Sequence, residues 1–318
     1  MIRQPRHGSP DMFPRPSRSW LPLVFATLLV GCFGGTKPDA RPDNALPVLA
    51  AKPRIGLALG GGAAKGFAHI GVIKMLEASG IHPDVVAGTS AGSVVGAMYA
   101  SGMDAFRLQE QAFSLDEASI RDVRLFSGGL VQGQKLQDYV NQLVGNRPIE
   151  KLRIPFAAVA TQLENGERAI FVRGNTGQAV RASSSIPGVF EPVDIAGRHF
   201  VDGGVVSPVP VDAARQLGAD IVIAVDISAR PDGKNPDSMM GIVGQSITIM
   251  GRKLAEQEIA RADVVIRPKV GQIGPTDFDQ KNVAILEGER AALAAIPAIR
   301  AKIAEKTAAM GKPPVPAR

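Results

Sequence analysis

The chain has 318 residues, of which 45% are hydrophobic and 5% aromatic, with one cysteine and a formal net charge of +6. That length allows one large α/β core or two small ones, and the single cysteine excludes an intrachain disulfide. Half of the positive excess sits in residues 1–31, where Arg3, Arg6, Arg15 and Arg18 face Asp11 alone, and no basic stripe interleaved with aromatics follows, so the charge gives no nucleic-acid partner.

The basic N-terminus leads into an apolar run over residues 20–30. It is too short for a comfortable membrane span and suits the apolar region of a secretory signal. It ends in Leu29-Val30-Gly31-Cys32, which resembles the bacterial lipobox, where cleavage precedes a cysteine that is then diacylated. An incidental cysteine beside a signal peptide is the plain alternative. Residues 1–31 are therefore expected to be a lipoprotein signal peptide. The mature protein is expected at the bacterial cell envelope, exported and anchored through Cys32 to a membrane facing the periplasm. Residues 32–53, rich in Gly, Pro, Asp and Lys, read as a flexible tether.

From Arg54 onward, strands and helices alternate. Ile55-Gly56-Leu57-Ala58-Leu59 belongs to a first strand over 54–59, which ends in Gly60-Gly61-Gly62-Ala63-Ala64-Lys65-Gly66. A helix over 65–79 follows, with apolar residues at 67, 70, 73 and 76. A loop of this kind presents consecutive N–H groups to one point, which suits a phosphate or an oxyanion. The dinucleotide fingerprint is matched only out of register, because Ala63 fills its middle glycine, and no Gly-Lys-Ser/Thr completes a P-loop.

A second strand over 84–88 runs into Gly88-Thr89-Ser90-Ala91-Gly92 and a helix over 91–101. Strand, tight turn and helix place a serine at the apex, where a Cβ at either flanking glycine would crowd the turn. The helix N-terminus there favours developing negative charge. Ser90 is the candidate nucleophile; an ordinary glycine-rich turn is the plainer alternative.

Further helices are expected over 104–113, 134–144, 208–217 and 241–261, with strands over 154–160, 168–172, 199–202, 221–226 and 264–267. Residues 114–133 break the alternation and read as a surface loop that could cover the site. His199-Phe200-Val201-Asp202-Gly203-Gly204 puts an aspartate at a strand end before two glycines. Ile221-Val222-Ile223-Ala224-Val225 is apolar on both faces, as a parallel sheet requires. Residues 229–240 form a polar turn region. Beyond it, Ile242, Val243, Ile247 and Met250 read as core, with an acyl-chain groove as the alternative. An alanine-rich helix over 281–310 is expected to be interrupted at Pro297, and residues 313–316 to be disordered. The fold class is α/β, a three-layer α/β/α domain with a mainly parallel central sheet over 54–270. Residues 271–318 are expected to form a helical extension and tail.

Taken together, these motifs make the chain resemble the patatin-like phospholipases. Residues 60–66 are similar to that family's oxyanion loop, residues 88–92 to its nucleophile elbow, and Asp202-Gly203-Gly204 to its catalytic aspartate motif. Residues 181–192 and the start of the first helix (residues 68–72) also resemble family segments. The likeness covers about residues 53–270. It implies Ser90 and Asp202 as a catalytic dyad, with Gly60, Gly61, Gly62 and Ala63 as the oxyanion hole. Lys65, Gly66, Gly88, Gly92, Gly203 and Gly204 support the motifs. Two positions depart from the pattern: Ala63 stands where a further glycine is common, tolerable if its φ is negative, and Lys65 stands where arginine is usual, keeping the charge but losing the bidentate fork.

The resemblance implies hydrolysis of carboxylic esters in phospholipids or lysophospholipids. Asp202 would take the Ser90 proton, an acyl-enzyme would form, and water activated by the same aspartate would cleave it. No cofactor and no metal cluster is visible, a membrane lipid is the expected substrate, and nothing identifies a protein partner. A triad-type α/β-hydrolase esterase would need a histidine after the nucleophile. Of His7, His69, His82 and His199 only His199 qualifies, and its odd spacing from Asp202 points the two side chains to opposite faces of one strand. A non-catalytic lipid-binding envelope protein keeping the same fold is the third reading.

Overall fold

The computed structural model describes residues 52–115, 131–229 and 238–311. The expected signal peptide, the Cys32 anchor, most of the tether and the 313–316 tail lie outside these residues. So do most of the 114–133 and 229–240 loops.

Among the described residues, eight strands form one mixed sheet: β1 (Ile55–Leu59), β2 (Val85–Thr89), β3 (Phe156–Gln162), β4 (Arg168–Phe171), β5 (Val193–Ile195), β6 (Arg198–Asp202), β7 (Ile221–Val225) and β8 (Val264–Ile266). The order is β5-β6-β3-β2-β1-β7-β8, with β4 also paired to β3. Contacts among β3, β2, β1, β7 and β8 are parallel; β4, β6 and β5 join antiparallel. The helices are α1 (Ala68–Ala78), α2 (Ala91–Ala100), α3 (Ala105–Ser114), α4 (Gln134–Leu143), α5 (Thr176–Ser183), α6 (Val211–Gln216), α7 (Met239–Ile259) and α8 (Lys281–Met310).

Alternation along the strands sorts the core into two faces. Leu57, Leu59, Val86, Phe156 and Ile223 pack with side chains of α1, α2 and α8 on one side. Ala58, Ala87, Val159, Val222 and Ala224 pack with α6 and the C-terminal turns of α7 on the other. Both faces are covered, the condition under which parallel strands lose their polar alternation.

Four details differ from the expectations. α5 and β5 were missed, since both are short and α5 carries few apolar residues; its start is marked by Asn175, whose side chain accepts from Gln178 N–H. The helix expected from 208 begins at Val211, because Pro208 and Pro210 keep the preceding chain out of the helix. α8 runs through Pro297 without interruption, with Ala292, Ile296 and Ile299 buried on both sides of it. Nor is α8 an extension: it belongs to the core and packs on α1 through paired glycines. A Cβ on Gly71 would fall on the Ile285 carbonyl oxygen, and one on Gly288 on that of Ala68.

Candidate active site

The sheet itself brings Ser90 and Asp202 together. β4 occupies one edge of β3 along residues 158–161. β2 pairs with residues 156–159 of β3, and β6 takes over at Ala160. A strand residue has one partner per edge, so β2 and β6 lie end to end on the edge opposite β4. Thr89 pairs with Val159 and Asp202 with Ala160, so the two strand ends meet at consecutive residues of β3. Gly203 permits the turn there, because a Cβ would strike the Val159 carbonyl oxygen.

Ser90 sits at φ 53° and ψ −124°, a conformation that L side chains rarely adopt. Its neighbours hold it there. The Ser90 carbonyl accepts from Ser93 N–H at 2.8 Å and from the Ser93 hydroxyl at 2.7 Å. Ser90 N–H donates to Ser183 Oγ at 2.9 Å, and Ser183 donates onward to the Val159 carbonyl. Two residues later, the Ser185 carbonyl accepts from Asp202 N–H at 2.8 Å. The end of α5 thus fixes both strand ends. A Cβ on Gly88 would strike Gly92 and Ser93 of α2, and one on Gly92 would strike the end of β1.

Asp202 is buried, and loss of solvation pushes its carboxyl up to about pKa 6. The nearby Ser90 hydroxyl and a hydrogen bond from Gly204 N–H, at 2.7 Å, favour the ionised form and limit the rise. A buried carboxyl of raised pKa beside a serine is suited to general-base work. His199 is elsewhere: its exposed ring pairs with Glu164 at 2.9 Å on the protein surface.

The glycine-rich loop differs in detail from the expected oxyanion set. Gly60 N–H is spent on the Val225 carbonyl at 3.0 Å and Gly61 N–H on that of Pro208 at 2.9 Å. These two residues anchor the loop and leave no amide to offer a ligand. Gly62 and Ala63 keep N–H groups without an acceptor among the described residues, as does Ala91 at the start of α2. Ala63, Ala91 and Ser90 line the same cavity. Ala63 adopts φ 50°, so the negative φ that would make alanine tolerable is not met and the residue occupies a conformation that glycine prefers. Lys65 is buried, and desolvation lowers its pKa.

Three side chains unassigned in the sequence hold this arrangement. His69 lies in the core at the start of α1 with Nε2 2.8 Å from the Gly60 carbonyl. A carbonyl only accepts, so Nε2 carries the proton; burial lowers the imidazole to about pKa 4 and keeps it neutral. The Thr89 hydroxyl donates to the Ser207 carbonyl at 2.8 Å. Glu258 of α7 accepts from the Ser207 hydroxyl at 2.5 Å and from Val209 N–H at 2.8 Å. Residues 207–209 therefore tie together β2, the glycine-rich loop through Gly61, and α7. The sequence carried little signal for this, since a lone glutamate in a helix reads as a solvated face.

The cavity measures about 280 Å³ and is almost wholly apolar, with Phe67, Met98, Leu108, Phe190 and Phe278 among its walls. Ser90 lies at its wall with Ser184, whose buried hydroxyl has no partner among the described residues. The described residues contain no cluster of side chains able to hold a metal ion. A nucleophile, a neighbouring carboxylate base, spare amides and an apolar chamber together suit acyl transfer from a lipophilic ester.

Comparisons with known proteins agree with that geometry. Residues 57–215 match the family model described as patatin-like phospholipase. An uncharacterized NTE family protein of Mycobacterium tuberculosis is 38% identical over 206 residues, covering 63% of this chain and 56% of the relative. A lysophospholipase NTE1 of Coccidioides immitis is 36% identical over 184 residues, covering 56% of this chain and 12% of the relative. Human patatin-like phospholipase domain-containing protein 6 is 32% identical over 186 residues, covering 56% of this chain and 14% of the relative. The chain thus spans just over half the length of the mycobacterial relative and a small part of the other two. Among solved structures, VipD from Legionella pneumophila shares the fold at a TM-score of 0.50 and 16% identity, over 77% of this chain and 66% of that one.

Proposed function

Since the chain belongs to the patatin-like phospholipase family, we propose that it is a serine lipid acyl hydrolase working through a Ser90–Asp202 dyad. The observation that carries this reading is the strained Ser90 set beside a buried carboxyl of raised pKa, where two strand ends meet, at the wall of an apolar cavity. Asp202 takes the hydroxyl proton as Ser90 Oγ attacks the ester carbonyl carbon. The oxyanion is held by the spare amides of Gly62 and Ala63, with Ala91 as a further donor. Collapse breaks the ester C–O bond, and the departing alkoxide takes the proton from Asp202. Water then attacks the acyl-enzyme, giving its proton to Asp202, and the fatty acid leaves as Ser90 recovers its hydrogen.

The substrate class is a phospholipid or lysophospholipid. Support comes from the cavity's apolar walls and from relatives that carry the names phospholipase and lysophospholipase. The lipobox-like Leu29-Val30-Gly31-Cys32 adds a location: the bacterial envelope, tethered through diacylated Cys32 to a membrane facing the periplasm. The reading is tested by incubating wild type and Ser90→Ala with a fluorophosphonate probe and with defined phospholipids and lysophospholipids. Covalent labelling and fatty-acid release by wild type alone are expected. Release without labelling, or equal release by both proteins, would overturn the dyad.

A further inference from the structure

The N-terminal half of α7 is amphipathic in the inverted sense. Met239, Ile242, Val243, Ile247, Ile249 and Met250 are 46–81% exposed. Gly241, Gln245 and Thr248, small or polar, are only half-exposed. At 3.6 residues per turn the six large apolar residues cover an arc of about 160° facing outward. A helix on a water-facing surface does the opposite, turning its apolar stripe to the core. The expectation that Ile242, Val243, Ile247 and Met250 form core or an acyl groove is therefore not met: all four are exposed, and none lines the cavity described above.

We propose that this face of α7 is a docking surface for a phospholipid membrane, with the helix lying in the plane of the interface. Three observations select a lipid surface over a second copy of the chain. The arc is far wider than the seam covered by one paired helix, whereas a lipid phase covers its full width. Residues 238–251 carry no charge, and Arg252 and Lys253 follow at once, Lys253 being 77% exposed. That pattern suits immersion ended by cations among anionic headgroups. The uncharged stretch is about 20 Å long against about 30 Å of hydrocarbon, so it lies in the interface instead of spanning it. Consistently, no described helix is long and apolar enough to cross a membrane. Near its C-terminal end the same helix carries Glu258, bonded to Ser207 and Val209, so the docking helix is joined to the segment that also receives Thr89 and Gly61.

This proposal extends the lipid-hydrolase reading, and its test is independent of turnover. In the full chain carrying Ser90→Ala, Trp20→Phe removes the single tryptophan and Ile247→Trp places a reporter on the exposed face. Added vesicles of mixed phosphatidylglycerol and phosphatidylcholine are expected to shift its emission to the blue, and brominated lipid to quench it. An emission unchanged by vesicles overturns the proposal. So does a blue shift that grows with protein concentration in their absence, which would mark a second copy as the occupant. A triple variant, Ile242→Ser with Ile247→Ser and Met250→Ser in otherwise wild-type protein, is expected to hydrolyse vesicle lipid about tenfold or more slower. Its turnover of a soluble short-chain ester is expected to stay within about twofold, since these side chains lie outside the catalytic machinery. Equal losses on both substrates would also overturn docking, while a wild type inactive on the soluble ester would count against the hydrolase reading alone.

Discussion

Glu258 accepts a hydrogen bond from the Ser207 hydroxyl at 2.5 Å, although the two residues lie 51 positions apart on different elements. The same carboxyl receives Val209 N–H, while the Ser207 and Pro208 carbonyls receive Thr89 and Gly61. One buried side chain of α7 thus sets the segment on which both β2 and the glycine-rich loop rest.

Glu258→Leu should strand a buried hydroxyl and a buried amide, costing about 1–3 kcal/mol for each. Thermal stability and kcat should fall together. Glu258→Gln keeps an acceptor and should retain most activity. Burial pushes Glu258 from 4.5 up to about 7, so folding favours its protonated form. That contribution to stability is full below about pH 4.5 and is lost as pH rises through about 7. Melting curves across that window should show a decline in wild type that is reduced in Glu258→Gln.

Activity should follow ionisation of Asp202. A base that must be deprotonated gives a kcat/KM that rises with pH through about 6. Ser90→Ala and Asp202→Asn should both be inactive, the second because an amide cannot take the proton. Asp202→Asn should also melt higher than wild type at pH 8, since it removes an ionised carboxylate from a site that resists charge. The gain should be up to about 3 kcal/mol. His199→Ala should keep most activity. A folded but inactive His199→Ala beside an active Asp202→Asn would replace the dyad with the triad mechanism.

Ala63→Gly should relieve the φ 50° strain at little cost to the loop's amides. An increase in stability of up to about 1 kcal/mol is expected, with turnover preserved. A lower melting temperature would mean that the alanine methyl packs better than its backbone suffers.

Gly61→Ala should act on chemistry more than on folding. Its Cβ would lie 3.2 Å from Ser90 Cβ, tight enough to displace the nucleophile by a few tenths of an ångström. Short-chain ester assays should show a loss mainly in kcat, of about tenfold or more, with a small shift in melting. An unchanged kcat would show that Ser90 tolerates the added methyl group.

Cys32→Ala should block lipidation and release the protein from the membrane fraction, or leave it unprocessed. Each buried acyl methylene supplies roughly 0.8 kcal/mol, and the α7 face alone should hold the protein less firmly. Fractionation with intact-mass measurement checks this; wild type without a lipid mass increment would remove the anchor.

What the sequence determined by itself is local. Strand-to-turn-to-helix order, the glycine-rich loop, the elbow around Ser90 and the Asp202-Gly203-Gly204 turn are all written in neighbouring residues, because periodicity and turn chemistry act over a few positions. The resemblance that orders these motifs was likewise legible. The tertiary structure alone decided which amides remain free: Gly60 and Gly61 spend theirs on Val225 and Pro208, carbonyls more than 140 residues away in the chain. It also decided that Ser183, Ser207 and Glu258 brace the segments around Ser90 and Asp202, that Ala63 takes a positive φ, and that the apolar residues of α7 face outward. Hydrogen-bond partnership and burial depend on what the fold lays alongside each residue, and an apolar stripe carries no mark in its own sequence of whether protein or lipid will cover it.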